Sequence, residues 1–204
     1  YASIQQVYSD LSLDQNADLA KDLFSETPND PFLASNPPHV VFILMESMSG
    51  HFLKFHSKSF NILGALEPHI QEDWFFKNFT SFGDGTIHSL ENLLVGTPSA
   101  PLAQSSFRFI SFESSVAFPY YQAGYETSFI TGGKLGWRNL QDFIPRQYYN
   151  NIEGQASIVH HNENAKTNTW GVYDQYVFDE ITRKLENATK PQFIFALTTS
   201  NHSP

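Results

Sequence analysis

The chain has no cysteine among its 204 residues. Disulfides and thiolate metal sites are therefore excluded, and the composition is compatible with a place outside the cytoplasm. Basic residues are scarce: 12 Lys and Arg stand against 21 Asp and Glu, a formal net charge of −9. No basic run exists, which argues against nucleic-acid binding, because neutralising phosphates needs clustered Lys and Arg. No apolar stretch approaches the length of a membrane-spanning helix, no signal peptide is present and no internal repeat is evident. The sequence opens on Tyr1 rather than Met, and its last seven residues, T-T-S-N-H-S-P, follow directly on an apolar run. Both ends predict a piece of a longer protein.

What is present suffices for one substantial core: 41% of the residues are hydrophobic, with nineteen phenylalanines spread throughout. Residues 40–45, V-V-F-I-L-M, form an unbroken apolar run rich in β-branched and aromatic types. Such a run predicts a strand in the middle of a parallel sheet, covered by helices on both sides. Glu46 stands at its end. In open α/β sheets ligands collect at the carboxyl ends of strands, so Glu46 is either a chemical group or simply the place where the strand leaves the core.

Ahead of that strand, residues 1–24 carry a modest helical pattern, and residues 26–38 hold four prolines and read as an extended linker. Behind it, helices are predicted over 47–53 and 66–77, with a short strand over 75–82. In S-F-G-D-G-T-I-H-S-L-E-N-L-L-V-G (81–96), Gly83 and Gly85 make a tight turn. Ile87, Leu90, Leu93 and Leu94 then fall on one helical face, and Gly96 is the stop. Thr86 is thereby placed at the mouth of a helix. A helix over 115–123 precedes a second buried strand over 125–131, which runs into Gly132 and Gly133. Trp137, Arg138 and Asn139 lie in the loop beyond. A helix from 170 to 187 carries Val177, Ile181 and Leu185 at helical spacing, and residues 192–197 give a third apolar strand. Strands alternating with helices make the architecture α/β: a mainly parallel sheet with helices on both faces.

Parallel strands share one carboxyl edge, so Glu46, the turn after Thr131, the segment of Ser200, Asn201 and His202, and Thr86 are brought toward one crevice. A threonine hydroxyl is a poor nucleophile at neutral pH. It becomes a good one when a divalent cation binds it, and a helix amino terminus helps to hold the resulting negative charge. A carboxylate such as Glu46 is a suitable hard ligand for that ion. The plain alternative is that Thr86 only caps its helix. His160 and His161, in V-H-H-N-E-N, read as solvated loop histidines.

The pair V-V-F-I-L-M-E-S and G-D-G-T-I-H-S-L-E-N-L-L, with Glu46 and Thr86 40 residues apart, resembles the sulfatase-like branch of the alkaline phosphatase superfamily. The resemblance is greatest to lipoteichoic acid synthases and to phosphoglycerol and phosphoethanolamine transferases. G-Y-E-T-S-F-I-T-G-G with its following W-R-N, W-G-V-Y-D near residue 170, and the terminal P-Q-F-I-F-A-L-T-T-S-N-H-S-P extend it in the family's order over residues 37–204. The resemblance implies an alkaline-phosphatase-like fold, incomplete at its C-terminus. Residues 1–38 would be a helical leader and linker, and residues 39–204 the N-terminal part of the catalytic domain. It implies one divalent ion, Mn or Zn, with Glu46 and Thr86 as ligands, and Thr86 as the nucleophile that carries a phosphoryl intermediate. It points to Trp137, Arg138 and His202 as substrate-binding residues.

The pattern departs from the family in two places. The order here is Trp-Arg-Asn where the synthases have Trp-Asn-Arg, and the substrate-binding histidine expected shortly before is replaced near Ile130 or Thr131. The Asp-His pair that completes the metal site in the family lies beyond this chain, so the polypeptide alone is expected to be inactive. The activity implied is hydrolysis or transfer of a phosphate or sulfate ester, on a phospholipid head group or envelope glycan. Sulfatase chemistry proper is disfavoured, because that branch usually modifies a Cys or Ser to formylglycine. The enzyme would be membrane-anchored through an absent N-terminal region, with this domain on the extracytoplasmic side. The rival reading is a non-catalytic domain of the same fold with a binding or regulatory role.

Overall fold

In the computed structural model the described residues are 30–76, 79–98 and 101–202. The predicted helical leader over residues 1–24 lies outside them. The chain divides into two compact units at Pro37 and Pro38. Of the first unit, one short helix is described, α1 (Pro31–Ser35), capped by the Asp30 carboxylate on Phe32 N.

The second unit is built on four parallel strands: β1 (Val40–Leu44), β2 (Glu126–Thr131), β3 (Asn151–Glu153) and β4 (Gln192–Leu197), in the order β1-β4-β2-β3. β4 explains the layering. All six of its residues are buried, and because side chains alternate across a strand, its apolar run serves two cores. Phe193, Phe195 and Leu197 pack with Leu90 and Leu94 of α4 (Thr86–Val95). Ile194 and Ala196 pack on the other face with Ile158 of α7 (Gln155–His161) and with Val177 and Ile181 of α8 (Asp174–Glu186). The sequence reading of an α/β sheet with helices on both faces is the fold observed.

Three local expectations are corrected. β1 is not in the middle: among the described residues it pairs with β4 alone, and Phe42 and Ile43 are 40% and 38% exposed. An apolar run signals covered faces and carries no information about the number of neighbouring strands. The long helix and the strand expected over 66–82 reduce to a 3-10 turn (Gly64–Leu66) and α3 (His69–Glu72), with no strand among the described residues of 75–82. The apolar residues there find no core to pack on, as Trp74 at 92% exposure shows, and a helical pattern without a buried face is not stable. β3, with the sequence N-I-E, is too short and polar to announce itself. The remaining helices, α2 (His51–Phe55), α5 (Phe118–Gln122) and α6 (Leu140–Phe143), are short connectors.

Candidate active site

The register sets the site. Leu44 and Thr131 both lie opposite Leu197, so β1, β4 and β2 end in line and the residues just beyond them emerge side by side. Thr198 donates from its backbone to Leu44 O at 3.1 Å, and its Oγ1 accepts from Glu46 N at 2.8 Å. This fastens the residue after β1 to the residue after β4. Ser47 follows with φ 55°, in the left-handed region that costs a non-glycine residue about 1–2 kcal/mol. Its Oγ donates to Glu46 Oε1 at 3.1 Å.

Glu46 Oε2 takes the second donor. Thr86 Oγ1 donates to it at 3.1 Å across the 40 residues that separate them. The capping reading of Thr86 does not hold. Gly85, with extended φ/ψ, occupies the cap of α4, and Thr86 is the first helical residue, its hydroxyl turned to the carboxylate. Both side chains are half-buried. They line a pocket of about 240 Å³ together with Thr131, Lys134, Trp137 and His202. They also line a wider cleft of about 920 Å³ walled by Met45, Phe82 and Leu93.

Of the five residues singled out from sequence, four thus converge: Glu46, Thr86, Trp137 and His202. His202 lies flat on Trp170, ring centroids 3.6 Å apart and planes 23° from parallel. Arg138 does not join them. It and Asn139 have φ of 52° and 61°, and this turn sends the guanidinium to Gln104 Oε1 at 3.0 Å, with its carbon 5.9 Å from the Trp137 ring centroid. Sequence reasoning had no role for Lys134, Trp170, Ser47 or Thr198. Only Trp170 carried a signal, through W-G-V-Y-D.

That motif is a clamp on the rim. Asp174, the first residue of α8, accepts from Thr199 N at 2.8 Å and Ser200 N at 3.1 Å through Oδ1, while its own N donates to Ser200 Oγ at 2.7 Å. The segment that ends in His202 is therefore held by one carboxylate. Asp174→Ala is expected to lower unfolding free energy by about 2 kcal/mol and Asp174→Asn by less than half of that, since the amide keeps an acceptor oxygen. Urea unfolding of the two variants checks the order.

A second group of ligating side chains lies elsewhere. Glu153, His161 and Glu180 place one ligand atom each within 4.8 Å of the others. His161 is at the end of α7, not in a solvated loop, and its Nδ1 is 3.0 Å from Glu180 Oε2. Lys184 Nζ sits 2.6 Å from Glu153 Oε1, and Arg183 pairs with Glu180. Burial and the neighbouring Glu180 carboxylate raise the Glu153 pKa. Burial also acts to raise that of Glu180, but hydrogen bonding to Arg183, Glu153 and His161 brings it below the ordinary value. Two cations thus answer two carboxylates, while Glu153 Oε2 is buried without a hydrogen-bond partner among the described residues.

Comparison with known proteins identifies the family and the fold. The Sulfatase family profile matches residues 38–204. Among solved structures, a protein in the alkaline phosphatase superfamily from Vibrio parahaemolyticus superposes with a TM-score of 0.68 at 23% identity, covering 99% of this chain and 52% of that one. The lipoteichoic acid synthase LtaP from Listeria monocytogenes gives 0.69 at 14% identity, covering 92% and 47%. The Streptococcus pyogenes phosphoglycerol transferase GacH, in complex with sn-glycerol-1-phosphate, gives 0.62 at 18% identity, covering 100% and 52%. The chain spans about half the length of these structures. At these identities the likeness is one of fold.

Proposed function

This chain belongs to the sulfatase family, and from that premise we propose that it supplies the nucleophile-bearing part of a metal-dependent hydrolase or transferase of phosphate esters. The single observation that carries the reading is the 3.1 Å contact between Thr86 Oγ1 and Glu46 Oε2 at the carboxyl edge of the sheet. Both atoms are hard oxygen donors, the kind that Mn²⁺ or Zn²⁺ accepts from a hydroxyl and a carboxylate. Glu46 and Thr86 would be the two side chains of this chain that hold such an ion. Two donors are too few to hold an ion tightly. By resemblance, an Asp-His pair would complete the ligand set.

The chemistry such an ion supplies when bound at these two oxygens is loss of the hydroxyl proton near neutral pH. Thr86 Oγ1 attacks phosphorus in line, and the bond to the leaving alcohol breaks as the Oγ–P bond forms. The alcohol departs with a proton, leaving Thr86 esterified to a phosphorus that still carries the substrate's other organic group. Water or an acceptor alcohol then attacks phosphorus, Thr86 is regenerated, and the product is a free phosphate ester or a transferred one. Amides in the first turn of α4 have no partner within the helix and carry its positive end, so charge developing on the phosphoryl oxygens meets a favourable field. Thr198 and Ser47 hold Glu46 in position, and Trp137 and His202 wall the pocket where the alcohol portion would lie.

The substrate class we propose is a phospholipid head group or an envelope glycan, which the named activities of LtaP and GacH support. The place of action would be the extracytoplasmic side of a membrane, with residues 1–38 as leader and linker. No helix among the described residues is long and apolar enough to cross a membrane. A chromogenic phosphodiester, the full-length protein and a Mn²⁺ titration test the reading. Acid quench during turnover is expected to trap the substituted phosphoryl group on the peptide containing Thr86. Glu46→Gln is expected to raise the Mn²⁺ needed for half-maximal rate by at least about 10- to 100-fold, since losing even a group that only orients a ligand usually costs that much. Turnover with the label on another residue, or a Mn²⁺ requirement unmoved in the variant, leaves a non-catalytic or differently built site.

A further inference from the structure

We propose that Glu153, His161 and Glu180 form a second divalent-cation site, separate from the one at Thr86 and suited to Zn²⁺, which ties the edge of the sheet to two helices. The three residues come from three elements: the last residue of β3, the last of α7 and the middle of α8. None of them lines either cavity that holds Thr86. The atom that points to a ligand is Glu153 Oε2. Glu153 is 8% exposed, and among the described residues this oxygen is buried with no hydrogen-bond partner. It lies 3.8 Å from His161 Nδ1, which in turn lies 3.0 Å from Glu180 Oε2. A buried carboxylate oxygen left without a partner is costly, so the fold favours an occupant between these three atoms.

The two cations beside the cluster leave that point open. Lys184 Nζ takes the other Glu153 oxygen, Oε1, at 2.6 Å. Arg183 takes Glu180 Oε1 through Nη2 and shares its Nε between Oε1 and Oε2, at 3.0 Å from each. A carboxylate oxygen has two lone-pair positions, so Glu180 Oε2 keeps one for an ion. Donors that orient ligating carboxylates through their remaining positions are the usual outer support of a metal site. His161 ligates through Nδ1 with its proton on Nε2, the ion taking the place of the His161–Glu180 hydrogen bond. One imidazole and two carboxylates make a nitrogen and oxygen donor set that Zn²⁺ accepts, with its fourth position left to water. The role that follows is structural. β3 is three residues long and, among the described residues, pairs with β2 alone at the edge of the sheet. An ion shared by β3, α7 and α8 holds this corner together, because binding to the native state alone adds to its stability.

The test is titration calorimetry of the full-length protein with Zn²⁺, in a Glu46→Gln background so that the site at Thr86 contributes little. His161→Ala, Glu153→Gln and His160→Ala are each added to that background. The background protein is expected to bind Zn²⁺ saturably, with the affinity weakened at least about 100-fold by His161→Ala and at least about 10-fold by Glu153→Gln. His160→Ala, the exposed neighbour, should move it less than about threefold. Saturating Zn²⁺ should raise the melting temperature of the background protein by about 5 °C and that of His161→Ala by less than about 1 °C. His161 is exposed, so its truncation spares the core, and Glu153→Gln keeps both the volume of the side chain and an acceptor for Lys184. Circular dichroism establishes that the variants are folded. No saturable Zn²⁺ binding by the background protein, an affinity unmoved by His161→Ala and Glu153→Gln, or an equal loss in His160→Ala each overturns the assignment. Since Glu46 is replaced throughout, none of these results bears on the chemistry proposed for Thr86.

Discussion

Thr86→Ala in the full-length protein is expected to lower kcat for a phosphodiester by roughly four orders of magnitude or more, with KM changed little. The size follows from the role proposed for the hydroxyl. Removing a covalent nucleophile removes the two-step path, and the residual rate is that of binding and electrostatics alone. Thr86 is the first residue of α4 and its side chain is spent on Glu46, not on capping the helix, which Gly85 begins. Truncation to alanine, the best helix former, therefore leaves the helix intact, and circular dichroism and the melting temperature should match the wild type. Thr86→Ser is the informative companion. It keeps the oxygen and should keep activity within about 100-fold, because only the restriction on χ1 supplied by the methyl group is lost. A Thr86→Ala protein that turns over at the wild-type rate eliminates the mechanism.

Gly171→Ala should be the most damaging single-methyl change on the rim, costing about 3 kcal/mol in urea unfolding. A Cβ at Gly171 would stand 2.0 Å from Gly132 O and 2.6 Å from Gly132 C. Both are backbone atoms, so no rotamer change relieves the clash. The closeness is reciprocal: a Cβ on Gly132 would lie 2.8 Å from Thr199 Oγ1 and 2.9 Å from Val172 O, and Val172 N donates to Gly132 O at 2.9 Å. Insertion of atoms into such a contact usually costs 1–3 kcal/mol, and a backbone displacement belongs at the upper end. The same displacement would move Trp170 off His202, so an activity loss larger than the stability loss explains is also expected. Gly50→Ala serves as the control, since nothing lies within 4 Å of its would-be Cβ. Equal stability of Gly171→Ala and Gly50→Ala would contradict the contact.

The parts of this molecule legible in its sequence are those where one physical signal dominates. β4 read as a buried strand from its five consecutive apolar residues, Phe193 to Leu197, and β2 from its β-branched and aromatic residues Thr127, Phe129, Ile130 and Thr131. α4 read correctly from its start at Gly85 to its stop at Gly96, whose φ of 65° is the left-handed cap that glycine supplies. The convergence of Glu46 and Thr86 was inferable because parallel strands deliver their ends to one edge, wherever the residues lie along the chain. Register was not inferable, and register is what puts Thr198 under Glu46. The handedness of the turn at Arg138 was equally hidden: Asn139 is a residue type that tolerates positive φ, but Arg138 carries no such preference and gave no warning that both would adopt it. Lys134 gave no signal, since one lysine after two glycines is ordinary in any loop. The stretch over 64–76 misled for a different reason. Its apolar spacing is helical, but propensity needs something to pack against, and the sequence cannot say whether it is there.

The strand order has a bearing on how this protein comes into being. β1 and β2 never touch as partners; β4, the last of the four to be synthesised, slides between them. As the polypeptide leaves the ribosome, β2 and β3 can zip together early, while β1 must wait for about 150 further residues, on the order of ten to thirty seconds at ordinary translation speeds. Until then the acid at residue 46 has no fixed address relative to the hydroxyl at residue 86. A nascent or truncated product lacking β4 would be locally helical yet chemically mute, which is a safe state for an emerging nucleophile.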